Sequence, residues 1–257
     1  DGLACEQGRK DTVVRMQKTD KLNEKRAVKV SRAKTGTVVT AEEFLSLKRP
    51  KGDLIVQVGR EHVAVTSQDR IYWPDEKLTK FDLLSFYLKV ADHLMPFLKE
   101  RPAILQRWPR GINAPMFFQQ DLESAPAFIK TARLTNQEGR QLDYAVYSTT
   151  GSLLHFVNLG SIEQHPWHST VKHLDKPDWI AIDLDPKQAP WENVLQVALV
   201  VKGVADEIRL TAYPKTSGST GIHIYVPLKP TNGYEKVAEF AKLFAGEVAH
   251  RASNIAT

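Results

Sequence analysis

The chain has 257 residues, of which 42% are hydrophobic and 25% charged, a composition typical of one large globular domain or of one domain with an appendage. No apolar run approaches the roughly 18 residues that a membrane-spanning helix needs, so we predict no membrane partner. The single cysteine, Cys5, excludes an internal disulfide and a cysteine-based zinc finger, and it suits the cytoplasm.

The net charge of +5 is concentrated near the N-terminus. Residues 1–60 contain 14 Lys/Arg and 8 Asp/Glu, which gives +6, whereas residues 61–257 contain 21 and 22, which gives −1. A basic segment of this kind either binds nucleic acid through phosphates or forms a solvated arm, and both interpretations stay open. We predict that residues 1–60 form a basic extension that is partly disordered or loosely packed.

In chain order, the first regular elements are a hairpin and a long helix. Residues 54–66 alternate between apolar and polar side chains, which predicts a β-hairpin at the edge of the domain. Thr79 and Asp82 form a capping-box pattern, and apolar residues follow at helical spacing, which predicts a helix that Pro102 ends.

The second half of the chain alternates between strands and helices. Apolar runs predict buried strands at Ala103–Trp108, Leu153–Val157 and Trp179–Leu184, and then a strand pair at Leu210–Tyr213 and Ile222–Val226. Pro190 marks the start of one helix, and a last helix covers about residues 234–251. The predicted fold class is therefore α+β, with a mixed central sheet flanked by helices.

The most informative motif is a pair of aspartates at the end of an apolar strand. Asp183 and Asp185 lie two positions apart, so a strand would project both carboxylates from the same face. Like charges held this close need a cation between them, and hard oxygen ligands suit Mg²⁺ or Mn²⁺. An aspartate-based phosphatase is an alternative, although Lys187 stands where that pattern has a threonine.

A glycine-rich turn follows the aspartates and leads into the next strand. The segment Lys215–Pro227 contains Ser217, Gly218, Thr220 and His223. We expect unpaired backbone N–H groups, two hydroxyls and an imidazole in this segment, which together can bind phosphate. A metal site and a phosphate site in succession favour phosphoryl or nucleotidyl transfer.

Three other features have ordinary interpretations when they are taken alone. His165 and His168 have a spacing that could bind a metal, but a histidine in a loop is the usual result. The adjacent aromatics Phe117-Phe118 indicate core packing. Arg70 and Lys80 flank an aromatic turn and indicate a solvated surface.

Five stretches in this order make the chain similar to the polymerase domain of bacterial ligase D and its stand-alone relatives, in the archaeo-eukaryotic primase superfamily. The resemblance extends over roughly residues 62–250, and it identifies residues 61–257 as a primase-polymerase-like catalytic domain. The stretches are Val65-Thr-Ser-Gln-Asp-Arg-Ile-Tyr-Trp-Pro74, Arg107-Trp-Pro-Arg-Gly-Ile112 with Phe117-Phe-Gln119, Leu159-Gly-Ser-Ile-Glu-Gln-His-Pro-Trp-His168, Pro177-Asp-Trp-Ile-Ala-Ile-Asp-Leu-Asp-Pro186 and Lys215–Pro227.

The resemblance implies template-directed nucleotidyl transfer at broken DNA ends in non-homologous end joining, with ribonucleotides favoured. Its partners would be DNA with 5′-phosphorylated gaps or ends, nucleoside triphosphates, a Ku-type end-binding protein and an attached or separate ligase, in a bacterial or archaeal nucleoid. It implies three catalytic residues: Asp183 and Asp185, which would hold two Mn²⁺ or Mg²⁺ ions, and His165, which would lie beside the nucleotide sugar and the metal site. It also implies that template bases pack against Phe117 and Phe118 and that a 5′-phosphate binds Arg70 and Lys80. The residues implied for binding the nucleotide are Lys215, Ser217, Gly218, Thr220 and His223.

Two departures from the family pattern bear on these expectations. Gln120 stands where the family commonly has a lysine. The family's third metal carboxylate follows the last helix, whereas this sequence stops at Thr257, so we expect a catalytic domain that is truncated at its C-terminus. Asp206 and Glu207 are not expected to replace that carboxylate. A non-catalytic module that binds DNA ends therefore stays open as an alternative function.

Overall fold

The structure, a computed structural model, describes residues 36–135 and 139–255, which divide into two compact units on either side of the Trp167–His168 bond. Within the described residues, no helix is both long enough and apolar enough to cross a membrane. The larger unit contains, in chain order, β1 (Thr37–Thr40), α1 (Ala41–Ser46), β2 (Leu54–Val58), β3 (Glu61–Val65), β4 (Ile71–Trp73), β5 (Leu78–Thr79), α2 (Lys80–Leu98), β6 (Arg101–Arg107), β7 (Phe117–Gln119), β8 (Lys130–Thr135), β9 (Gln141–Tyr147), α3 (Thr150–Asn158) and β10 (Ser161–Pro166).

Two main sheets build the larger unit. Strands β1, β2 and β3 form one sheet, in which β1 and β2 are parallel and β2 and β3 form the predicted hairpin. The second sheet has the order β10-β6-β9-β8, and β7 pairs with the second half of β6. One apolar core serves this unit, and it includes the fully buried side chains Phe44, Val56, Tyr72, Leu84, Tyr147 and Phe156.

The predicted boundary at residue 60 falls in the turn of the β2–β3 hairpin. Phe44 and Val56, which precede the boundary, have no exposed surface and pack in the core. Residues 36–60 therefore belong to the larger unit and contribute two side chains to its core, which differs from the loose extension predicted for them. Residues 1–35, the rest of that predicted extension, lie outside the described residues.

Helix α2 begins as the sequence predicts. The hydroxyl of Thr79 accepts a hydrogen bond from the Asp82 backbone N–H, and the Asp82 carboxylate accepts one from the Thr79 N–H, which completes the capping box. The helix ends at Leu98, before Pro102, which lies in β6 instead of ending the helix.

The prediction of a strand at Leu153–Val157 is wrong, because this run forms most of α3. Thr149 caps the helix by accepting a hydrogen bond from the Ser152 N–H at 3.1 Å. The helix is buried on several sides, so apolar residues crowd this short run and it does not show the helical period that would separate it from a buried strand. His155 in this helix contacts the rings of Phe128 and Phe156 edge-on, and burial, followed by the charges of Arg107 and Lys80, lowers its pKa to about 4.

The smaller unit packs two helices on one face of a three-stranded antiparallel sheet. Its apolar core includes Leu184, Val201, Ile224, Phe244 and Val248. The sheet order is β11-β13-β12, and the elements are β11 (Trp179–Leu184), α4 (Trp191–Glu207), β12 (Tyr213–Thr216), β13 (Ile222–Pro227) and α5 (Tyr234–Arg251).

The strand predicted at Leu210–Tyr213 begins only at Tyr213. The backbone N–H of Leu210 donates to the carbonyl of Ala205 at 2.8 Å, so this part of the segment closes the end of α4. Beside it, Arg251 donates to both carboxylate oxygens of Glu207, and Asp206 pairs with Lys202. Asp206 and Glu207 are therefore both paired with cations of the smaller unit.

Candidate active site

Three strands of the smaller unit align a carboxylate, an imidazole and an ammonium group in one row. Asp183 on β11 lies opposite His223 on β13, and His223 lies opposite Lys215 on β12. Residues directly opposite each other in an antiparallel sheet share a face, so all three side chains project from the face that the helices leave uncovered. His223 Nε2 lies 3.6 Å from Asp183 Oδ1.

The two aspartates lie on either side of a buried leucine. Leu184 is buried in the core, whereas Asp183 and Asp185 are both exposed, as expected for alternating positions at a strand end. Asp185 Oδ1 accepts a hydrogen bond from the Lys187 N–H at 3.3 Å. Burial, and then the negative charge of Asp183, raise the pKa of Tyr225, which lies on the same face of the sheet.

The carboxylate pair fits a hard divalent cation. Both side chains are exposed and supply only oxygen donors, which Mg²⁺ and Mn²⁺ prefer. In residues 36–135 and 139–255, no group of three or more His, Cys, Asp and Glu side chains is arranged to hold a metal ion. Asp183 and Asp185 could therefore supply oxygen ligands to such an ion, without a third side chain of these types grouped with them in the described residues.

The turn from Ser217 to Gly221 is closed by its own hydrogen bonds. The Ser217 hydroxyl oxygen accepts from the N–H groups of Ser219 and Gly221 at 3.2 and 3.0 Å. The Ser217 N–H donates to the Gly221 carbonyl at 2.9 Å. The expectation of unpaired N–H groups is therefore wrong for these three residues, because the Ser217 hydroxyl accepts two of these hydrogen bonds and the Gly221 carbonyl accepts the third.

Two glycines let this turn approach the strand that bears the aspartates. Gly218 has a φ of +94°, which side-chain-bearing residues rarely adopt. A Cβ on Gly221 would lie 2.3 Å from the carbonyl oxygen of Leu184, and 3.6 Å from the Cα of Asp185. The backbone of the turn thus packs directly on the backbone between the two carboxylates.

In the larger unit, Lys80 begins α2 and Arg70 directly precedes β4. The Lys80 N–H donates to the carbonyl of Arg70 at 2.8 Å, which places the two residues side by side. Arg70 is exposed and donates to the carbonyl of Pro109, whereas Lys80 is 5% exposed and donates to the carbonyl of Thr66. The structure therefore brings together the backbones of two basic residues that the sequence separates by ten positions.

The two phenylalanines of β7 are exposed, so the interpretation of this pair as core residues is wrong. Phe117 is 46% exposed and Phe118 47%. The Arg107 guanidinium lies 5.1 Å from the centre of the Phe117 ring and also donates to Gln119 at 2.7 Å. Gln120, at the position where the family pattern has a lysine, accepts a hydrogen bond from the hydroxyl of Tyr144. β7 thus presents two exposed aromatic rings, one on each face of the strand.

His165 lies beside Phe118 in the same sheet. Its Nε2 is 2.7 Å from Oε1 of Gln106 and 3.4 Å from Oε2 of Glu163, and the Phe118 ring meets it edge-on. The sequence motifs gave no role to Gln106, which contacts His165, or to Arg107, which contacts Phe117 and Gln119. The signal for Gln106 was available, because a polar residue inside the apolar strand Ala103–Trp108 needs a hydrogen-bond partner when it is buried.

A known family and several known proteins are similar to this chain. Residues 79–257 match the family described as "LigD, primase-polymerase domain". The multifunctional non-homologous end joining protein LigD of Pseudomonas aeruginosa is 33% identical over 197 residues, which are 73% of this chain and 22% of that protein. The bifunctional non-homologous end joining protein LigD of Bacillus subtilis is 34% identical over 183 residues, which are 70% of this chain and 29% of that protein.

The fold is also similar to a solved structure, the polymerase domain from Mycobacterium tuberculosis ligase D in complex with DNA. The TM-score is 0.68 at 26% sequence identity, over 74% of this chain and 69% of that one. The predicted α+β fold class is confirmed by this match. The chain spans less than a third of the length of the two curated relatives, and the family match covers the smaller unit and the larger unit from residue 79 onward. The chain therefore belongs to the LigD primase-polymerase domain family.

Proposed function

We propose that this protein extends DNA ends by template-directed nucleotidyl transfer during non-homologous end joining, and that it fills gaps with a preference for ribonucleotides. The observation that carries the proposal is the row Asp183–His223–Lys215, with the Ser217–Gly221 turn packed against it. Oxygen ligands for divalent cations thus lie beside cationic groups that can bind a polyphosphate. Membership of the LigD primase-polymerase domain family supports the proposal.

Asp183 and Asp185 would hold two Mn²⁺ or Mg²⁺ ions. When bound, such ions lower the pKa of an attacking hydroxyl and stabilise the charge on the departing pyrophosphate. Lys215 and His223 would bind the oxygens of the incoming triphosphate. The hydroxyl oxygen of Ser217 already accepts two N–H groups, so its own hydrogen remains to be donated to a phosphate oxygen.

The larger unit would bind the DNA. Arg70 and Lys80 would form a site for the 5′-phosphate on the downstream side of a gap, and their carbonyl partners hold both side chains near the start of α2. Phe117 and Phe118 would stack on template bases, because exposed aromatic rings fixed on a strand can stack on any base. His165 would contact the nucleotide sugar.

The wider setting follows from the relatives, whose names describe them as multifunctional or bifunctional end-joining proteins. The partners would be a Ku-type end-binding protein and a ligase, either attached to this domain or separate. The cell would be bacterial or archaeal, and the protein would act in the cytoplasm at the nucleoid.

The test is primer extension on a gapped duplex with a 5′-phosphate, in the presence of Mn²⁺ and each nucleotide type. We expect the parent to add templated nucleotides, whereas Asp183→Ala abolishes addition and still binds DNA. Asp206→Ala is the matched control, because it removes an exposed acid of the same unit that pairs with Lys202. Normal extension by Asp183→Ala would contradict the assignment of Asp183 as a metal ligand.

A non-catalytic module that binds DNA ends is the second candidate. It is favoured by the finding that the described residues bring no third His, Cys, Asp or Glu to the Asp183–Asp185 pair as a metal-binding group. This candidate predicts phosphate-dependent binding to gaps without nucleotide addition by the parent or by any variant. An aspartate-based phosphohydrolase would instead release phosphate, and Asp183→Asn would remove that activity.

A further inference from the structure

The side chain of Gln106 has different neighbours at its two ends. The residue is 4% exposed in β6, and it lies opposite Phe118 of β7. One end of its amide, Oε1, lies 2.7 Å from His165 Nε2, and the other end, Nε2, lies 3.9 Å from the sulfur of Met116. A buried amide held at both ends has a fixed orientation.

The chemistry of these neighbours decides where the proton of His165 lies. A thioether sulfur can only accept a hydrogen bond, so the amide NH₂ of Gln106 has to face Met116 and the carbonyl oxygen has to face His165. A carbonyl oxygen also only accepts, so His165 Nε2 has to carry a hydrogen. Glu163 Oε2, 3.4 Å from the same nitrogen, is a second acceptor for that hydrogen.

The backbone around His165 supports the same arrangement. The pairing of β10 with β6 shifts register between Ser161 and Gln164, immediately before His165. An irregularity of this kind re-aims the side chains that follow it. The side chain of His165 is 40% exposed, so the imidazole contacts a buried amide and still reaches the surface.

We propose that Gln106 is a positioning residue that fixes His165 in the Nε2–H tautomer and thereby makes Nδ1 the hydrogen-bond acceptor of the ring. In that tautomer Nδ1 is the only ring nitrogen that can accept a hydrogen bond from a hydroxyl of the bound nucleotide or from a water that the nucleotide holds. This role in ligand binding rests on the proposed function, whereas the tautomer itself is argued from the contacts of Gln106 with His165 and Met116.

The first test is NMR of the protein labelled with ¹⁵N-histidine, at a pH where imidazole is neutral. We expect the parent to show one tautomer of His165, with the proton on Nε2. Gln106→Leu has a similar volume without an acceptor, so it should show both tautomers in exchange. Gln106→Glu keeps an acceptor oxygen and should restore the single tautomer.

Gln119→Leu is the matched control, because it removes an amide of β7 that bonds to Arg107 and the Asp121 carbonyl. Its spectrum for His165 should equal that of the parent. A parent spectrum with the proton on Nδ1 would overturn the proposal, and this arm needs no variant to fold. An unchanged His165 tautomer in folded Gln106→Leu would overturn it as well.

The second test is steady-state primer extension by the same Gln106 variants. Gln106→Leu should raise the KM for the nucleotide by about three- to tenfold, the effect of one hydrogen bond, with DNA affinity unchanged, and Gln106→Glu should recover most of the loss. An unchanged KM in Gln106→Leu would remove the ligand-binding role. If the parent adds no nucleotide, the proposed function fails, but the NMR result still decides the tautomer.

Discussion

Gly221→Ala tests whether the turn has to approach the aspartate strand. A Cβ at this position would lie 2.3 Å from the carbonyl oxygen of Leu184 and 3.3 Å from its carbonyl carbon. Ordinary contact needs about 3.5 Å, so the turn or the strand has to move by roughly 1 Å. Both obstructing atoms belong to the backbone of a paired strand, which cannot rotate away as a flexible side chain can.

The expected cost follows from this overlap. Inserting a methyl group into a packed site destabilises a protein by about 1–3 kcal/mol. Gly203→Ala is the matched control, since a Cβ there would meet no atom of the described chain within 4 Å, and it lies in helix α4. Alanine in a helix interior is favoured over glycine by about 0.5–1 kcal/mol, so the two variants should differ by about 1.5–4 kcal/mol in the free energy of unfolding.

Urea denaturation followed by circular dichroism measures this difference, and amide hydrogen exchange locates it. We expect Gly221→Ala to lose protection at the amides of β11 and β13 and to bind nucleotide with Mn²⁺ more weakly. Gly203→Ala should keep both properties. If Gly221→Ala is as stable as Gly203→Ala and keeps its protection, the turn does not pack on β11 as described, and the reasoning is refuted.

Three further predictions concern the larger unit. Arg70→Ala should weaken binding to a gapped duplex only when the 5′-phosphate is present. Binding titrations with phosphorylated and unphosphorylated gaps measure this difference, and Arg60→Ala is the control. Phe117→Ala should reduce affinity for the template by about 1–3 kcal/mol, the worth of one stacked base, without lowering stability in urea, whereas Phe97→Ala, which removes another exposed ring, should leave affinity unchanged. His155→Gln should reduce the decrease in the free energy of unfolding between pH 6.5 and 4, as urea denaturation across that range measures.

The sign of the His155 effect follows from its pKa. Burial lowers the pKa of the folded imidazole from its ordinary 6.5 to about 4, so the unfolded chain binds the extra proton first. The contribution of His155 to the free energy of unfolding is therefore fully present above pH 6.5. It is lost as the pH falls toward 4, by as much as about 3 kcal/mol. An equal slope in the parent and in His155→Gln would contradict this burial.

Specific results would also contradict the predictions for Arg70 and Phe117. Equal loss of affinity on both kinds of gap in Arg70→Ala would mean that the side chain acts only through general electrostatic attraction. Template binding that survives Phe117→Ala unchanged would mean that the exposed ring of β7 does not stack on bases.

Much of the fold could be predicted because local signals agreed with the tertiary structure. Thr79 and Asp82 marked the start of α2, and the alternation in residues 54–66 marked a hairpin that buries one face. The prediction of a strand at Leu153–Val157 was wrong for a physical reason. A helix that is buried on several sides loses its polar stripe, so its sequence no longer shows the period that separates a helix from a strand.

The candidate site was predictable where the chemistry lies within one strand or one turn. The alternation around Leu184 placed Asp183 and Asp185 on one face without knowledge of the partner strands. The alignment of Lys215 with His223 depends on strand pairing, which no local pattern specifies. The exposure of Phe117 likewise depends on what covers β7. The closed turn depends on the Ser217 hydroxyl, which accepts hydrogen bonds from N–H groups that were expected to bind a ligand.

The register of β13 has a consequence for folding quality. A slip of one residue would turn His223 toward α4 and α5 and would bring Ile222 or Ile224 to the open face. The chain would then lose apolar burial and its row of polar groups in the same event. Chains with this slip would therefore also expose isoleucine to chaperones and proteases, which preferentially remove molecules with exposed apolar side chains.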